Sequence, residues 1–198
     1  MPTYSYITLD DPSERGQTFA YGINGSGQVV GTYLNPSPQP AQTTDHGFLY
    51  ASGVYTTLDY PANNRTDARG INDSGQIVGY YSDSGPATTG THAFLYSGGT
   101  YTSFDYPPIA GILNQTFAEG INDAGQIVGY YLGGGPGPLH GFLYSGGNFT
   151  TLDVTDPSAR AGTTIAHGIT RRARSWVSTS ITAGHRMASF TAAARTPR

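Results

Sequence analysis

The sequence contains no cysteine, and the longest apolar runs are short. Without cysteine, disulfides and thiolate metal sites are excluded. The apolar runs are too short for a bilayer-spanning helix. The first residues, Met1-Pro2-Thr3-Tyr4-Ser5-Tyr6, offer neither a basic segment nor an apolar core, so no signal peptide is visible.

Lysine is also missing, and every basic residue is an arginine. All 13 acidic residues lie between Asp10 and Asp156, so residues 1–169, with four arginines, carry a net charge of −9. Residues 170–198 hold six arginines and no acid, a net charge of +6. The acidic body argues against nucleic acid as a partner, because phosphate binding needs basic neutralisation.

Glycine (28), proline (13) and tyrosine (15) are abundant in this chain of 198 residues. Turn formers and aromatics in these proportions indicate many short strands joined by tight turns. The length fits one domain of ordinary size with a sizeable core.

A tandem repeat of roughly 48 residues organises the chain. Gly-Ile-Asn, followed by Gly-Gln-Val/Ile-Val-Gly, begins at Gly22, Gly70 and Gly120, and Gly168-Ile169 starts a further copy. Each unit then shows His-Gly/Ala-Phe-Leu-Tyr and closes on a segment such as Tyr55-Thr56-Thr57-Leu58-Asp59. The units cover about 19–60, 67–106 and 117–154, and a closing strand stands alone at 4–10.

Each unit divides into four strands in two hairpins, with Gly125 suited to a left-handed turn position in the third unit. Ile127 and Tyr131 fall on one face of a strand, and Val128 and Tyr130 on the other, so both faces should be covered. The expected fold is all-β, with four-stranded antiparallel blades forming an incomplete or partial β-propeller over residues 1–169.

Every repeat feature stops after Ile169. Re-reading residues 170–198 one base earlier, with free choice of synonymous codons, regenerates the missing motifs of a fourth unit in order. We interpret this tail as a frame-shifted remnant of a fourth repeat and expect it to be irregular or disordered; a natural disordered tail is the alternative.

The motifs resemble the HAF repeat, a bacterial extracellular repeat named for a His-Ala-Phe triplet. The triplet stands here as His92-Ala93-Phe94, with His-Gly-Phe at His46 and His140, and the resemblance covers about residues 3–169. It implies a propeller-like fold and an extracellular or cell-surface location. It implies no catalytic residues.

Two sets of polar residues recur in each unit and are expected to be structural: His46, His92 and His140, and Asp10, Asp59, Asp105 and Asp153. A ring of imidazoles or carboxylates could hold an ion. We favour a histidine bonded to the backbone of a neighbouring blade and an aspartate capping the turn before a proline. No metal site and no cofactor are predicted.

Recognition by a repeat protein usually depends on the positions that differ between units. The variable loops are such positions, and so is the residue before each repeat glycine, which gives four candidate ligand-binding residues: Tyr21, Arg69, Glu119 and His167.

No nucleophile elbow, Walker loop or zinc-protease motif is present. We therefore expect a non-catalytic extracellular or surface scaffold that binds a ligand, such as a glycan or a surface protein, through variable inter-strand loops. The alternatives are a propeller-type polysaccharide hydrolase or lyase, and a non-functional fragment of a frame-shifted gene.

Overall fold

The computed structural model describes residues 7–10, 17–36, 43–61, 65–83, 90–108, 115–133, 139–153, 164–170, 177–183 and 186–192. These residues form strands and turns, and no helix long and apolar enough to cross a membrane occurs in these ranges. The all-β prediction is confirmed.

Three complete units of four strands follow one another along the chain. The first contains β1 (Thr18–Ile23), β2 (Val29–Pro36), β3 (Thr43–Ala51) and β4 (Val54–Leu58). The second contains β5 (Arg65–Ile71), β6 (Ile77–Ser82), β7 (Thr91–Ser97) and β8 (Thr100–Phe104). The third contains β9 (Thr116–Ile121), β10 (Ile127–Leu132), β11 (Leu139–Ser145) and β12 (Asn148–Thr151).

Each unit is an antiparallel meander in which every strand pairs with the next. The first hairpin of each unit turns on a glycine in the left-handed region, with φ of 75° at Gly27, 75° at Gly75 and 73° at Gly125. Only glycine adopts this conformation without a steric penalty, which is why the turn sequence repeats. A single parallel bridge, Asp45 to Arg65, joins the first two units.

The units pack face to face as blades, and three apolar clusters fill the space between them. The first cluster joins Val30 and Leu58 of one blade to Ala68, Ile71, Ile77, Tyr81 and Phe94 of the next. The second joins Val78 and Ala93 to Ala118, Ile121, Ile127, Tyr131 and Phe142, and the third joins Val128 to Ala166. Ile127 and Val128 therefore face opposite blades, as the sequence predicted for a strand covered on both faces.

A tyrosine after the last strand of one blade reinforces each of the first two junctions. Tyr60 stacks on Tyr81 and Tyr106 stacks on Tyr131, with ring centroids 3.6 Å apart in both pairs. The backbone N–H of Tyr60 donates to the Oγ1 of Thr66, which is fully buried at the start of β5. These contacts fix where each chain segment enters the following blade.

An asparagine ladder links the first hairpins of the three blades. The Oδ1 of Asn72 accepts the backbone N–H groups of Ser74 and Gln76, at 3.1 and 2.9 Å. Its Nδ2 donates to the Gln76 side chain at 2.8 Å and to the carbonyl of Asn122, in the next blade, at 3.1 Å. The Nδ2 of Asn24 donates in the same way to the carbonyl of Asn72, at 3.0 Å.

The first strand of every blade carries a β-bulge against the second strand. Ala20 pairs with Gly31 and Gly22 pairs with Val30, so Tyr21 is left out of the register. The same shift leaves out Arg69, Glu119 and His167 in the following units. A bulge strengthens the local twist and re-aims one side chain.

The residues after the third blade form another first strand, β13 (Thr164–Ile169), which pairs with β14 (Val177–Ala183), which in turn pairs with β15 (Arg186–Ala192). The structure thus differs from the irregular tail that we expected. The sequence of β14, Val-Ser-Thr-Ser-Ile-Thr-Ala, is rich in β-branched residues, which fit an extended backbone. The frame-shift interpretation stays a prediction.

The expected N-terminal closing strand at 4–10 is described only over residues 7–10, which belong to no strand. Ile7 is largely exposed there.

Asn72→Asp should lower the free energy of unfolding by about 2–4 kcal/mol, because the carboxylate cannot donate to the Asn122 carbonyl or to Oε1 of Gln76 and places a negatively charged oxygen against both acceptors. Urea unfolding measures the loss. Asn148→Ala is the control, since Asn148 is exposed and donates only to the nearby Gly146 carbonyl; we expect a change within about 0.5 kcal/mol. Equal stability of Asn72→Asp and wild type would contradict the ladder's role.

Gly79→Ala should destabilise the chain by roughly 3 kcal/mol or more, because a Cβ there would collide with the carbonyl oxygen of Asp67 on the neighbouring strand. Gly168→Ala is the matched variant, since a Cβ at that strand glycine meets nothing within 4 Å. In thermal unfolding, Gly79→Ala should melt at a clearly lower temperature than Gly168→Ala. Similar melting temperatures would contradict this explanation.

Candidate functional site

The four residues excluded from register by the bulges form one set, which we call the bulge row: Tyr21, Arg69, Glu119 and His167. Their strands, β1, β5, β9 and β13, lie side by side in successive blades. The bulge row contains the same four residues that the sequence singled out because they vary between units.

Successive members of the bulge row contact one another. The guanidinium carbon of Arg69 lies 4.1 Å from the centre of the Tyr21 ring. Nε of Arg69 lies 3.6 Å from Oε1 of Glu119, and Nδ1 of His167 lies 3.6 Å from Oε2 of Glu119. The row is therefore a continuous surface built from four different blades.

The centre of the row is buried and its ends are open. The side chain of Glu119 is 8% exposed and that of Arg69 is 19% exposed, whereas that of His167 is 54% exposed. Burial alone would lower the pKa of Arg69, but the negative charge of Glu119 helps to raise that pKa above its ordinary value. Both central residues therefore interact as a charged pair.

Two atoms of this pair lack hydrogen-bond partners. Nε of Arg69 and Oε1 of Glu119 are both buried, and at 3.6 Å they are too far apart to bond each other. Leaving a buried polar group unpaired costs about 1–3 kcal/mol, and more for a charged group.

Aromatic rings surround the pair. The Arg69 guanidinium also lies 5.3 Å from the Tyr80 ring, and Phe117 contacts both Tyr80 and Tyr130, with ring centroids at 5.0 and 4.5 Å. Burial, together with the negative charge of Glu119, raises the pKa of Tyr130 to about 12, and burial likewise raises the pKa of Tyr80. Both phenols stay neutral at physiological pH and keep their O–H donors.

The sequence did not lead us to predict that Tyr80, Phe117 and Tyr130 lie near the bulge row, although their variation between units indicated it. The position of Tyr80 and Tyr130 is occupied by Thr32 in the first unit, and the position of Phe117 by Phe19 and Asp67. These positions vary between repeats, as the bulge row does.

A second charged cluster lies where β3 meets β5. Nε of Arg65 lies 2.7 Å from Asp45 and 3.4 Å from Asp67, and both carboxylates are buried. Thr32 donates its hydroxyl to Asp67. Burial raises the pKa of Asp67 in spite of the nearby arginines. Because two aspartates surround a single, half-exposed arginine, this cluster has a negative net charge.

The recurring histidines and aspartates pair with each other, 13 residues apart in the same blade. The pairs are His46 with Asp59, His92 with Asp105, and His140 with Asp153, at Nδ1–carboxylate distances of 2.9, 2.8 and 2.7 Å. Each imidazole also stacks on a tyrosine of the second strand, with centroids 5.1–5.3 Å apart. The expected bond from the histidine to a neighbouring blade's backbone is therefore wrong; the ring closes the outer hairpin of its own blade instead. Asp10 is exposed.

In the part of the chain that the structure describes, no group of three or more histidines and acids is placed to hold a metal ion. A groove of about 240 Å³ is lined by the isoleucines that end the first strands, by the three asparagines of the ladder and by Asp73 and Asp123, and not by the bulge row. The variable loops that we expected to bind a ligand fall largely outside the described residues, at 11–16, 37–42, 62–64, 84–89, 109–114 and 134–138.

His92 should make the stability of the fold depend on pH. Burial lowers its pKa, but hydrogen bonds and charge from Asp105 and Asp83 raise that pKa above the ordinary 6.5. Protonation therefore stabilises the folded chain: the contribution is complete below pH 6.5 and is lost as the pH rises through the folded-state pKa. Urea unfolding at several pH values should show a smaller loss between pH 6 and pH 8 for His92→Gln than for wild type. Identical pH profiles would contradict the prediction.

No family model and no curated protein matches the chain. Among solved structures it is similar to the β-propeller domain of the Trilobed protease from Pyrococcus furiosus, which has an open velcro topology: the TM-score is 0.53 at 10% identity, over 83% of this chain and 46% of that one. It is also similar to a fucose lectin from Kordia zhangzhouensis in complex with methyl-fucoside, with a TM-score of 0.40 at 13% identity, over 71% of this chain and 100% of that one. The chain thus spans about half of the protease domain. Similarity at this identity shows the fold alone, that of a propeller-like repeat protein.

Proposed function

We propose that the chain is a non-catalytic binding scaffold that recognises its ligand along the bulge row. One observation carries the proposal: the residues that differ from blade to blade meet in a single continuous row whose central charges, Arg69 and Glu119, are buried and incompletely bonded. Positions that stabilise the blade carry the same residue type in each unit, whereas the four positions of the bulge row carry a different residue in each unit.

Energetics support a binding role for the row. Burying an ion pair costs desolvation, which only good geometry and further hydrogen bonds offset. Nε of Arg69 and Oε1 of Glu119 lie 3.6 Å apart, and neither atom has a hydrogen-bond partner. A polar ligand that hydrogen-bonds the accessible part of the row would offset part of this desolvation cost.

The proposed location and partner rest on the HAF resemblance and on the acidic charge of residues 1–169. The HAF resemblance favours a place outside the cell or on its surface, where a glycan or a surface protein is the natural ligand. The four residues of the bulge row precede the segment that we interpret as frame-shifted, and the bulge at His167 forms against β14 within that segment.

The test is a ligand-observed NMR screen of a mixed library of neutral sugars, organic anions, amines and short peptides. The double variant Arg69→Met/Glu119→Gln should lose the ligands that wild type binds. It should also unfold at the same or a higher temperature, because replacing a buried pair is often neutral or stabilising. Asp59→Asn, in a His–Asp pair outside the row, should retain the ligands.

Ligands that survive in the double variant would place recognition elsewhere and overturn the proposal. Turnover in a separate assay with a panel of polysaccharides, detected as new reducing ends, would replace binding by hydrolysis or lysis.

A further inference from the structure

We propose that Asn24 is a site of deamidation controlled by the junction between the first two blades: opening of the junction permits the reaction, and the product hinders reclosure. Asn24 precedes Gly25, and this is the only Asn-Gly step in the chain. Glycine has no Cβ to obstruct its own backbone nitrogen, so this nitrogen reaches the side chain of a preceding asparagine with little steric hindrance. The modification is independent of ligand binding by the bulge row.

Deamidation is an internal displacement at the side chain of Asn24. The backbone nitrogen of Gly25 forms a bond to Cγ of Asn24, and the bond from Cγ to Nδ2 breaks. The attacking nitrogen loses its proton to solvent, and Nδ2 gains a proton from solvent and leaves as ammonia. The resulting succinimide takes up one water molecule and opens to aspartate or isoaspartate. The reaction needs no oxidant or reductant.

In the folded chain, the second blade holds the attacking nitrogen. The backbone N–H of Gly25 donates to Oδ1 of Asp73 at 2.6 Å, across the junction. A bond from an N–H to an ionised carboxylate is stronger than one to a neutral acceptor. The peptide of Gly25 must break this bond before it can rotate toward the Asn24 side chain, so Asp73 restrains the reaction.

The side-chain amide of Asn24 is held as firmly as the nitrogen that attacks it. Its Oδ1 accepts the backbone N–H groups of Ser26 and Gln28, at 3.1 and 3.0 Å. Its Nδ2 donates to the Gln28 side chain at 2.8 Å and to the Asn72 carbonyl at 3.0 Å. Asn24 is only 7% exposed. These bonds are released together when the junction opens locally, so the rate of deamidation follows that opening.

The second blade contains the same set of bonds without the reactive step. Asn72 accepts two backbone N–H groups of its own hairpin and donates to the Asn122 carbonyl. The following backbone N–H, that of Asp73, donates to Oδ1 of Asp123 at 2.8 Å. Here the residue after the asparagine carries a side chain, which hinders the attack. Asn72 is therefore an internal comparison for Asn24.

Deamidation removes the hydrogen-bond donor that links the first two blades. A carboxylate at position 24 cannot donate to the Asn72 carbonyl, and it places negative charge against that oxygen. The preceding strand, β1, carries Tyr21, whose ring centre lies 4.1 Å from the guanidinium carbon of Arg69. Opening of the junction therefore also separates the first member of the bulge row from the second. Ammonia is lost to solvent, so the change is irreversible.

The first experiment compares the full chain folded in buffer and unfolded in urea, at the same mildly alkaline pH and temperature. Peptide mass spectrometry follows the mass increase at Asn24 with time, and Asn72 is measured in the same samples. Asn24 should deamidate at least tenfold more slowly in the folded chain, because the open junction is a minor state. In urea, Asn24 should react faster than Asn72. Equal rates for Asn24 in buffer and in urea would overturn the proposal.

Substitution of Asp73 tests the restraint on Gly25. Asp73→Ala should speed deamidation of Asn24 about tenfold in the folded chain, because a hydrogen bond to a charged group is lost. It should leave the rate in urea unchanged. Asp73→Asn keeps an acceptor oxygen and should give a smaller increase, and it replaces Asp73→Ala if that variant does not fold.

Asp123→Ala is the matched control, since Asp123 accepts the corresponding N–H one blade further along. The rate at Asn24 should stay at the wild-type value in this variant. Urea unfolding of both alanine variants shows how much general stability each has lost. An equal increase at Asn24 in the two variants, or no increase with either Asp73 variant, would overturn the assignment of Asp73.

The effect of the product is measured on Asn24→Asp by hydrogen exchange. Backbone amides of β1 should exchange about tenfold faster than in wild type, because the first junction opens more often. Those of β10, in the third blade, should exchange at the wild-type rate. Unchanged exchange in β1 would show that deamidation leaves the junction closed and would overturn that part of the proposal.

Discussion

The asparagine ladder is the interaction on which the rest of the structure depends. The side-chain amides of Asn24 and Asn72 each hold their own hairpin in shape through two accepted bonds and reach the next blade through one donated bond. Aspartates reinforce it: Asp73 accepts from the backbone of Gly25, and Asp123 accepts from that of Asp73. Because the ladder sits immediately after the bulge row in sequence, it sets the spacing at which Arg69 meets Glu119.

Residues that recur in every unit and residues that vary between units contribute differently to the free energy of folding. The repeated ones fill the cores between blades, pair histidine with aspartate at the outer hairpins and satisfy the buried turn amides. The variable positions hold the buried charge pair with its unbonded atoms, the exposed rings of Phe19 and Tyr21, and two neutral phenols. Well-packed blades can tolerate a few kcal/mol of incomplete bonding in one row.

The sequence predicted the elements whose cause is local. Gly27, Gly75 and Gly125 turn the hairpins because only glycine fits there, and alternation along β10 predicted a strand covered on both faces. Longer-range pairings were not predictable. The bond from Asn72 to Asn122 joins residues 50 apart, and the contact of His92 with Asp105 depends on hairpin register. The bulge row was found through its variation between repeats, but its contacts depend on how the blades stack. The strands in the tail were missed because the loss of the repeat motifs outweighed the β propensity of Val177–Ala183.

The β-bulge has a consequence for how such an array evolves. Its extra residue is outside the strand register, so a codon change at that one place alters the surface without disturbing the backbone pairing. Tandem duplication copies the blade together with its current bulge residue, and later substitution lets the copies diverge. The pairing of the blades and the chemistry of the bulge row are then inherited through separate codons, so one can change while the other is kept.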